Sequence, residues 1–221
     1  MAVIDVSGVQ AGHYDAGHGV FRRLAYTPLR SPSRRRFHGR ERADVRVPPG
    51  YQALGLERHT SVLIRAYIRH DLAPLTELTI DTFRPFYEES FRPLVGEAVF
   101  AVQHGNWRDD YRKQVAELHA PERHTYVAIA EVEGAIAGYV AWSIDPARKK
   151  GEITILAVSD RHRRHHVGTA LCEHAFDRMR AVGTEVVEIG TGGDRFHAPA
   201  RALYEALGCT PYPLTVYFRR L

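Results

Sequence analysis

The chain has 221 residues and a mass of 25.0 kDa, the size of one ordinary domain with or without an extension. Its 44% hydrophobic and 25% charged content is globular and excludes a mostly disordered or collagen-like chain. No run approaches the ~20 apolar residues that span a bilayer, and MAVIDVSGVQ at the N-terminus lacks the basic region and apolar core of a secretory signal. A cytoplasmic location without membrane contact is therefore expected.

Cys172 and Cys209 are the only cysteines, too few for a disulfide framework and wrongly spaced for zinc. They read as reduced, buried thiols, and no metal is expected. The net charge of +4 is unevenly spread: residues 1–60 hold ten arginines, no lysine and five acids, a net +5, which leaves −1 for residues 61–221. A basic segment of this kind can hold nucleic acid, but no recognised nucleic-acid motif accompanies it and arginine outnumbers lysine along the whole chain, so nucleic acid is not the expected partner. Residues 1–60 cluster Gly, Pro, Ser and Arg without a period of two or 3.6, which reads as a loosely ordered extension ahead of a domain over 61–221.

From Ser61 the pattern becomes regular. Val62 to Arg69 (VLIRAYIR) is a strand candidate. Asp71 offers an N-cap to a helix through Leu75, Leu78, Thr79 and Phe83. Arg84 to Asn106 is aromatic and reads as irregular, with prolines at 85 and 93, and a second helix runs from about Trp107 to His119. Tyr126–Val132 and Ala135–Ile144, joined by Glu133-Gly134, form a hairpin, and Glu152–Val158 is a further strand. Val167–Val182 carries apolar residues at 167, 171, 175, 179 and 182, an amphipathic helix stopped by Gly183. Glu185–Ile189 is a buried-type strand, a helix follows to Leu207 with Gly208 as its stop, and Thr215–Arg219 reads as a closing strand. This order predicts an α/β fold, a mixed sheet flanked by helices.

The joint between the Glu152–Val158 strand and the Val167 helix carries the chemistry. It is short and basic, with Arg161, Arg163 and Arg164, and it ends at a helix N-terminus whose unpaired amides and positive dipole favour an anion. Gly168 permits close backbone approach. Taken alone, the stretch is equally a solvated basic loop ahead of an ordinary helix. His162, His165 and His166 have no acidic or thiol partner on the loop and do not read as a metal site.

Residues 152–171 resemble the acetyl-CoA-binding motif of the GNAT N-acetyltransferase superfamily: a strand, then [Gln/Arg]-x-x-Gly-x-[Gly/Ala], then a helix, here Arg163-Arg164-His165-His166-Val167-Gly168. His197-Ala-Pro-Ala-Arg-Ala-Leu-Tyr-Glu-Ala-Leu-Gly-Cys209 is similar to the family's second signature, Asn-x-x-Ala-x-x-Leu-Tyr-x-x-x-Gly-Phe. The resemblance covers roughly Val62 to Leu221, and the predicted element order agrees with it. The resemblance implies a mixed, mostly antiparallel GNAT-like sheet, acetyl-CoA as acyl donor, and direct transfer to a primary amine on a small molecule or peptide. It implies that the backbone of Leu156, Ala157 and Val158 pairs with the pantetheine arm, and that the amides of Arg163, Arg164, His165, His166, Val167, Gly168 and Thr169 hold the pyrophosphate. Glu152 falls where several members place a glutamate base, Tyr204 where the family tyrosine protonates or hydrogen-bonds the leaving thiolate, and a strand N–H near Val158 would polarise the carbonyl. The alternative for Glu152 is a solvent-facing strand-end carboxylate, and for Tyr204 a core residue.

Two positions depart from the family pattern: His166 replaces the first glycine of the loop, and His197 replaces the asparagine that would reach the cofactor. These departures keep open a degenerate GNAT domain that binds CoA or a protein partner without turnover; a homodimer also stays open. By the same resemblance the acceptor would dock along Phe83, Phe86, Tyr87, Phe91, Phe100 and Trp107, beside Glu88, Glu89, Asp109 and Asp110; the alternative is that these rings are core and the acids a wetted face.

Overall fold

The computed structural model describes residues 61–221; the basic extension lies outside the described residues. Five strands form one sheet in sequential order: β1 (Leu63–Ala66), β2 (Thr125–Val132), β3 (Ala135–Asp145), β4 (Lys150–Val158) and β5 (Val186–Ile189). Every pair is antiparallel except β4–β5, which is parallel. The sheet is the expected mixed, mostly antiparallel one. At the β2–β3 turn both Glu133 and Gly134 have positive φ, the backbone a tight two-residue hairpin requires.

One face of the sheet is covered by α1 (Leu72–Pro85), α2 (Arg92–Val95), α3 (Glu97–His104) and α4 (Trp107–Glu117), the other by α5 (Val167–Ala181) and α6 (Ala198–Ala206). Leu75, Phe83, Phe86, Trp107 and Tyr111 pack on Ile129, Tyr139, Ile155 and Ala157, whereas Leu171, Ala175, Met179, Ala200 and Tyr204 pack with Val140, Ile153, Leu156 and Val158. A buried Tyr139 hydroxyl, 2.6 Å from Thr79 Oγ1, ties the sheet to α1.

The two ends of β4 behave differently. Pairing with β5 stops at Ile153–Ile189, so Thr154 to Val158 have a neighbour only in β3. At the same point the β3–β4 register skips: Trp142 opposes Ile153 and Ala141 opposes Ile155, leaving Thr154 as the extra residue of a bulge. That bulge is why Ile153 and Ile155 point to opposite faces. Gly138 opposes Val158, and a Cβ there would sit 2.6 Å from the Ala157 carbonyl oxygen. Only glycine lets β3 lie this close to the tip of β4.

Two sequence expectations are corrected. Residues 84–106 are helical rather than irregular: α1 runs into a π-helical turn, Phe86–Phe91, then α2 and α3. Pro85 and Pro93 interrupt the 3.6-residue pattern, and Pro93 has no N–H to continue an α ladder, so the chain widens there instead of leaving the helix. Thr215–Arg219 is not a strand; no regular structure follows Gly208. Its β-branched and aromatic residues favour extended backbone, but a strand also needs a paired edge, and Tyr212, Leu214 and Tyr217 stay exposed. Phe218 instead meets the Phe91 ring edge-on at 5.7 Å.

Asp71 shows a local choice that sequence patterning mistakes. Its carboxylate does not cap α1; it accepts both terminal nitrogens of Arg65 at 2.8 Å and the Ile68 N–H at 2.8 Å. Arg65 Nε also donates to Glu131 at 2.7 Å, which stitches β1 to β2 and to the start of α1. The Arg65 hydrogen bonds outweigh burial and hold the Asp71 pKa below the usual carboxylate range. A depressed folded pKa contributes stability above the unfolded value, about pH 4, and that contribution is lost as pH falls through the folded one. Asp71→Asn is therefore expected to cost about 2–3 kcal/mol at pH 7, with the deficit against wild type shrinking below pH 4. Denaturant melts at pH 7 and pH 3 measure both; a deficit that does not change with pH contradicts the assignment.

Candidate active site

The end of β4, the loop after it, and the N-termini of α5 and α6 enclose a cleft of about 480 Å³. Val158, Arg163, Arg164, His166, Val167, Gly168 and Thr169 line one side, with His162; Phe196, Pro199, Ala202 and Leu203 line the other. Most of the predicted cofactor-binding residues thus converge. Leu156 and Ala157 are fully buried behind this surface, and His165 is exposed but not part of the wall.

The loop is held by its own side chains. A 3₁₀ turn, Asp160–His162, follows β4. Arg163 pairs with Asp160 at 2.7 Å, and Ser159 Oγ lies 2.7 Å from His162 Nδ1. Arg164 and His166 both have positive φ, 65° and 58°. His166 is the N-cap of α5 at ψ 8°, the left-handed geometry for which the family motif uses glycine, and its carbonyl accepts the Ala170 N–H at 3.0 Å. The first amides of α5 begin beyond the reach of the helix ladder and lie at its positive end. Two arginines and two histidines beside them make an anion-accepting wall.

At the N-cap of α6 and along it, His197, Ala200 and Tyr204 recur at helical spacing and are all buried. Ala200 and Tyr204 belong to the core layer with Leu156 and Val158, but His197 touches Phe86 of the opposite layer, ring centroids 4.9 Å apart. A side chain reaches across a sheet only past its edge, so the start of α6 closes the space that β5 vacates when it leaves β4. His197 Nε2 and the Tyr204 hydroxyl are both buried without a hydrogen-bond partner among the described residues, and neither residue lines the cleft. Burial, with Cys172 and Cys209 nearby, raises the Tyr204 phenol well above its ordinary pKa, and burial likewise pushes the Cys172 thiol up to about 12.

Glu152 is half-buried on the paired part of β4, opposite Ser143 of β3 and Glu188 of β5. It stands one residue before the pairing ends and, by alternation with Ile153, on the face of α1 and α4. It does not line the cleft.

The aromatic segment resolves toward core. Phe83, Phe86, Tyr87, Phe100 and Trp107 are all buried, with Tyr87 stacked on Trp107 at 4.6 Å. Glu88 binds Arg92, Arg108 and the Trp107 indole, and Asp109 pairs with Arg112. These contacts occupy Glu88 and Asp109, while Glu89 and Asp110 are exposed.

Sequence reasoning missed Asp194, whose carboxylate binds His197 Nδ1 at 2.5 Å. The Asp-x-x-His spacing ahead of α6 was its only signal. Among the described residues no cluster of His, Cys, Asp or Glu is arranged to hold a metal, and no helix is long and apolar enough to cross a membrane.

Comparison with known proteins follows the same geometry. Residues 78–209 match the acetyltransferase (GNAT) family. A mycothiol acetyltransferase of Sanguibacter keddieii is 36% identical over 157 residues, 67% of this chain and 49% of that protein. One from Beutenbergia cavernae is 40% identical over 70 residues, 32% of this chain and 23% of that protein. The chain thus spans about half the length of the first relative and less of the second. Among solved structures, the aminoglycoside N-acetyltransferase AAC(6')-Iy in complex with CoA is 15% identical with a TM-score of 0.52, covering 75% of this chain and 98% of its own. The BH1408 protein from Bacillus halodurans is 18% identical with a TM-score of 0.53, covering 72% and 99%. These structural likenesses share the fold.

The left-handed His166 gives a direct prediction. A Cβ in that region costs on the order of 1 kcal/mol, partly offset by the extra freedom glycine gives the unfolded chain. His166→Gly should raise the unfolding free energy by about 0.5–1 kcal/mol in urea melts. A loss of stability would show that the imidazole makes contacts outweighing the strain.

Proposed function

Because the chain belongs to the GNAT acetyltransferase family, we propose that it transfers the acetyl group of acetyl-CoA to a primary amine by direct attack. One observation carries this reading: the row formed by the α6 N-cap and the residues after it, beside the unpaired half of β4, buries two polar atoms, His197 Nε2 and the Tyr204 hydroxyl, with no partner among the described residues. Each such atom costs about 1–3 kcal/mol. Placed against an edge strand whose outward amides are also unbonded to a strand, they suit an arm rich in amides and ending in a thioester. The anion-accepting wall at α5 suits the pyrophosphate of the same donor. The residues present fit acetyl-CoA as a co-substrate, and the names of the mycothiol and aminoglycoside acetyltransferases support an amine acceptor.

The roles then follow from position. Backbone amides near Val158 hold the acyl carbonyl and stabilise its developing negative charge. An amine with a pKa near 10 arrives mostly as ammonium. Glu152, near the point where β4 loses β5, takes its proton so that the nitrogen lone pair is available. The Tyr204 hydroxyl donates a hydrogen bond to sulfur as the C–S bond breaks. Its pKa, raised by burial, suits a donor that keeps its proton. A second reading, CoA binding without turnover, is favoured by the strained His166 at the loop.

Release of free thiol from acetyl-CoA in the presence of an amine panel decides between them. Turnover is expected. Glu152→Gln should lower kcat/KM roughly 10²-fold. Tyr204→Phe should lower kcat while leaving acetyl-CoA affinity and folding stability intact, because the hydroxyl it removes has no partner among the described residues. A stable, CoA-binding chain that releases no thiol with any amine would favour the second reading. Equal losses of stability and rate in Tyr204→Phe would make Tyr204 a core residue.

A further inference from the structure

His197 is fully buried at the N-cap of α6. Its Nδ1 lies 2.5 Å from Asp194 Oδ2, while Asp194 Oδ1 accepts the backbone N–H of Phe196 at 2.8 Å and of His197 at 3.3 Å. The surrounding loop is built to keep the pair closed. A Cβ on Gly192 would collide with Asp194 Oδ2 and come within 2.5 Å of His197 Nδ1. Arg201 donates to the carbonyls of Gly192, at 2.5 Å, and Asp194, at 2.8 Å, tying the loop to α6. Burial works against the charge on Asp194, but the hydrogen bonds from His197 prevail and hold its pKa below the usual range.

An ionised carboxylate can only accept, so the ring nitrogen facing it, Nδ1, is a donor, and Nε2 is left at the far end of the ring. Nε2 is buried and has no hydrogen-bond partner among the described residues, with the ring set edge-on to Phe86 at 4.9 Å and Phe196 at 4.8 Å. An unmet buried nitrogen carries a cost, and at His197 it falls on a ring whose other nitrogen is already held by a carboxylate. Phe196 and Pro199, on either side of it in sequence, stand on the cleft wall.

Resting on the acetyl-transfer reading above, we infer that Asp194 and His197 form a proton shuttle, with His197 Nε2 moving a proton from the attacking nitrogen to the departing sulfur. The neutral amine's lone pair forms the C–N bond, and the electron pair of the C–S bond leaves on sulfur. The nitrogen, positively charged after attack, loses one proton to Nε2. Asp194 stabilises the resulting imidazolium, as a buried carboxylate does for the histidine of a hydrolase triad. Nε2 then gives that proton to the thiolate, yielding free thiol and returning His197 to its starting state. The proton released earlier, when the ammonium is neutralised, goes to Glu152 and leaves to solvent. No oxidant, reductant or metal enters the balance.

The test uses the full chain with acetyl-CoA and three acceptors, spermidine, glucosamine and kanamycin, reading thiol release and, by calorimetry, acetyl-CoA affinity. His197→Asn keeps a planar hydrogen-bonding group but cannot carry a proton. It should lower kcat at least 10²-fold, the range for loss of a proton-transfer group, with affinity within threefold of wild type. Asp194→Asn, which leaves the ring without its anchor, should also lower kcat at least tenfold. Added imidazole should restore part of the rate in His197→Gly, a recovery that lost positioning alone would not produce. A kcat for His197→Asn within threefold of wild type overturns the shuttle and leaves the acetyl-transfer reading standing. A tenfold loss of acetyl-CoA affinity at unchanged kcat also overturns it, by making His197 a group that holds the donor. Wild-type chain that releases thiol with none of the three amines overturns the acetyl-transfer reading and the shuttle with it.

Discussion

After Ile153, β4 has no strand on its outer side, and the rest of the site depends on that loss. Had β5 followed β4 to Val158, the outward amides of β4 would be spent on a ladder, and α6 could not pass the sheet edge to reach Phe86. The Thr154 bulge sits where the two strands part and changes which face each later residue of β4 presents. Gly138 keeps β3 tight against the same tip, so the unpaired strand is supported from one side while its other side stays available. The site is thus a place where sheet pairing has been stopped on purpose and replaced by a helix carrying polar atoms that need partners.

The loop that follows is under different demands. It must turn out of β4 within a few residues and deliver helix amides to one point, and the chain does this with two non-glycine residues in the left-handed region, Arg164 and His166. Histidine tolerates that conformation better than a β-branched residue, and both side chains add cationic or ionisable character to the wall. His166 sits at positive φ, and the Arg163–Asp160 and Ser159–His162 contacts close the loop ahead of it.

Much of this was legible in the sequence where the signal is local. Glu133-Gly134 marks its hairpin by turn chemistry alone, and the apolar residues from Val167 to Met179 mark α5 by period. The first motif and the second signature placed the loop and α6 in the right order. What was not legible depended on distant partners. The 84–106 segment hides its helices because Pro85, Pro93 and the π-helical turn break the period by which a helix is recognised. Thr215–Arg219 has strand-like residues, but nothing local says whether a paired edge is within reach. The aromatic residues around Phe86 and Trp107 admitted two readings until their burial was known. Asp194 drew no notice because Asp-x-x-His ahead of a helix looks like ordinary capping; its meaning comes from a buried ring with one nitrogen held and the other unmet.

The central claim is that the unpaired half of β4, the start of α5 and the start of α6 form one binding surface for a CoA thioester. Backbone amide exchange with and without saturating CoA tests it most directly. The account predicts slowed exchange at Leu156–Val158, at 163–169 and at the first turn of α6, with little change at the far end of the sheet. There a second depression, of about 410 Å³, lies between Ile144, Lys149 and Val182–Glu185. Protection confined to that far end, or none at β4 and α5, would contradict it.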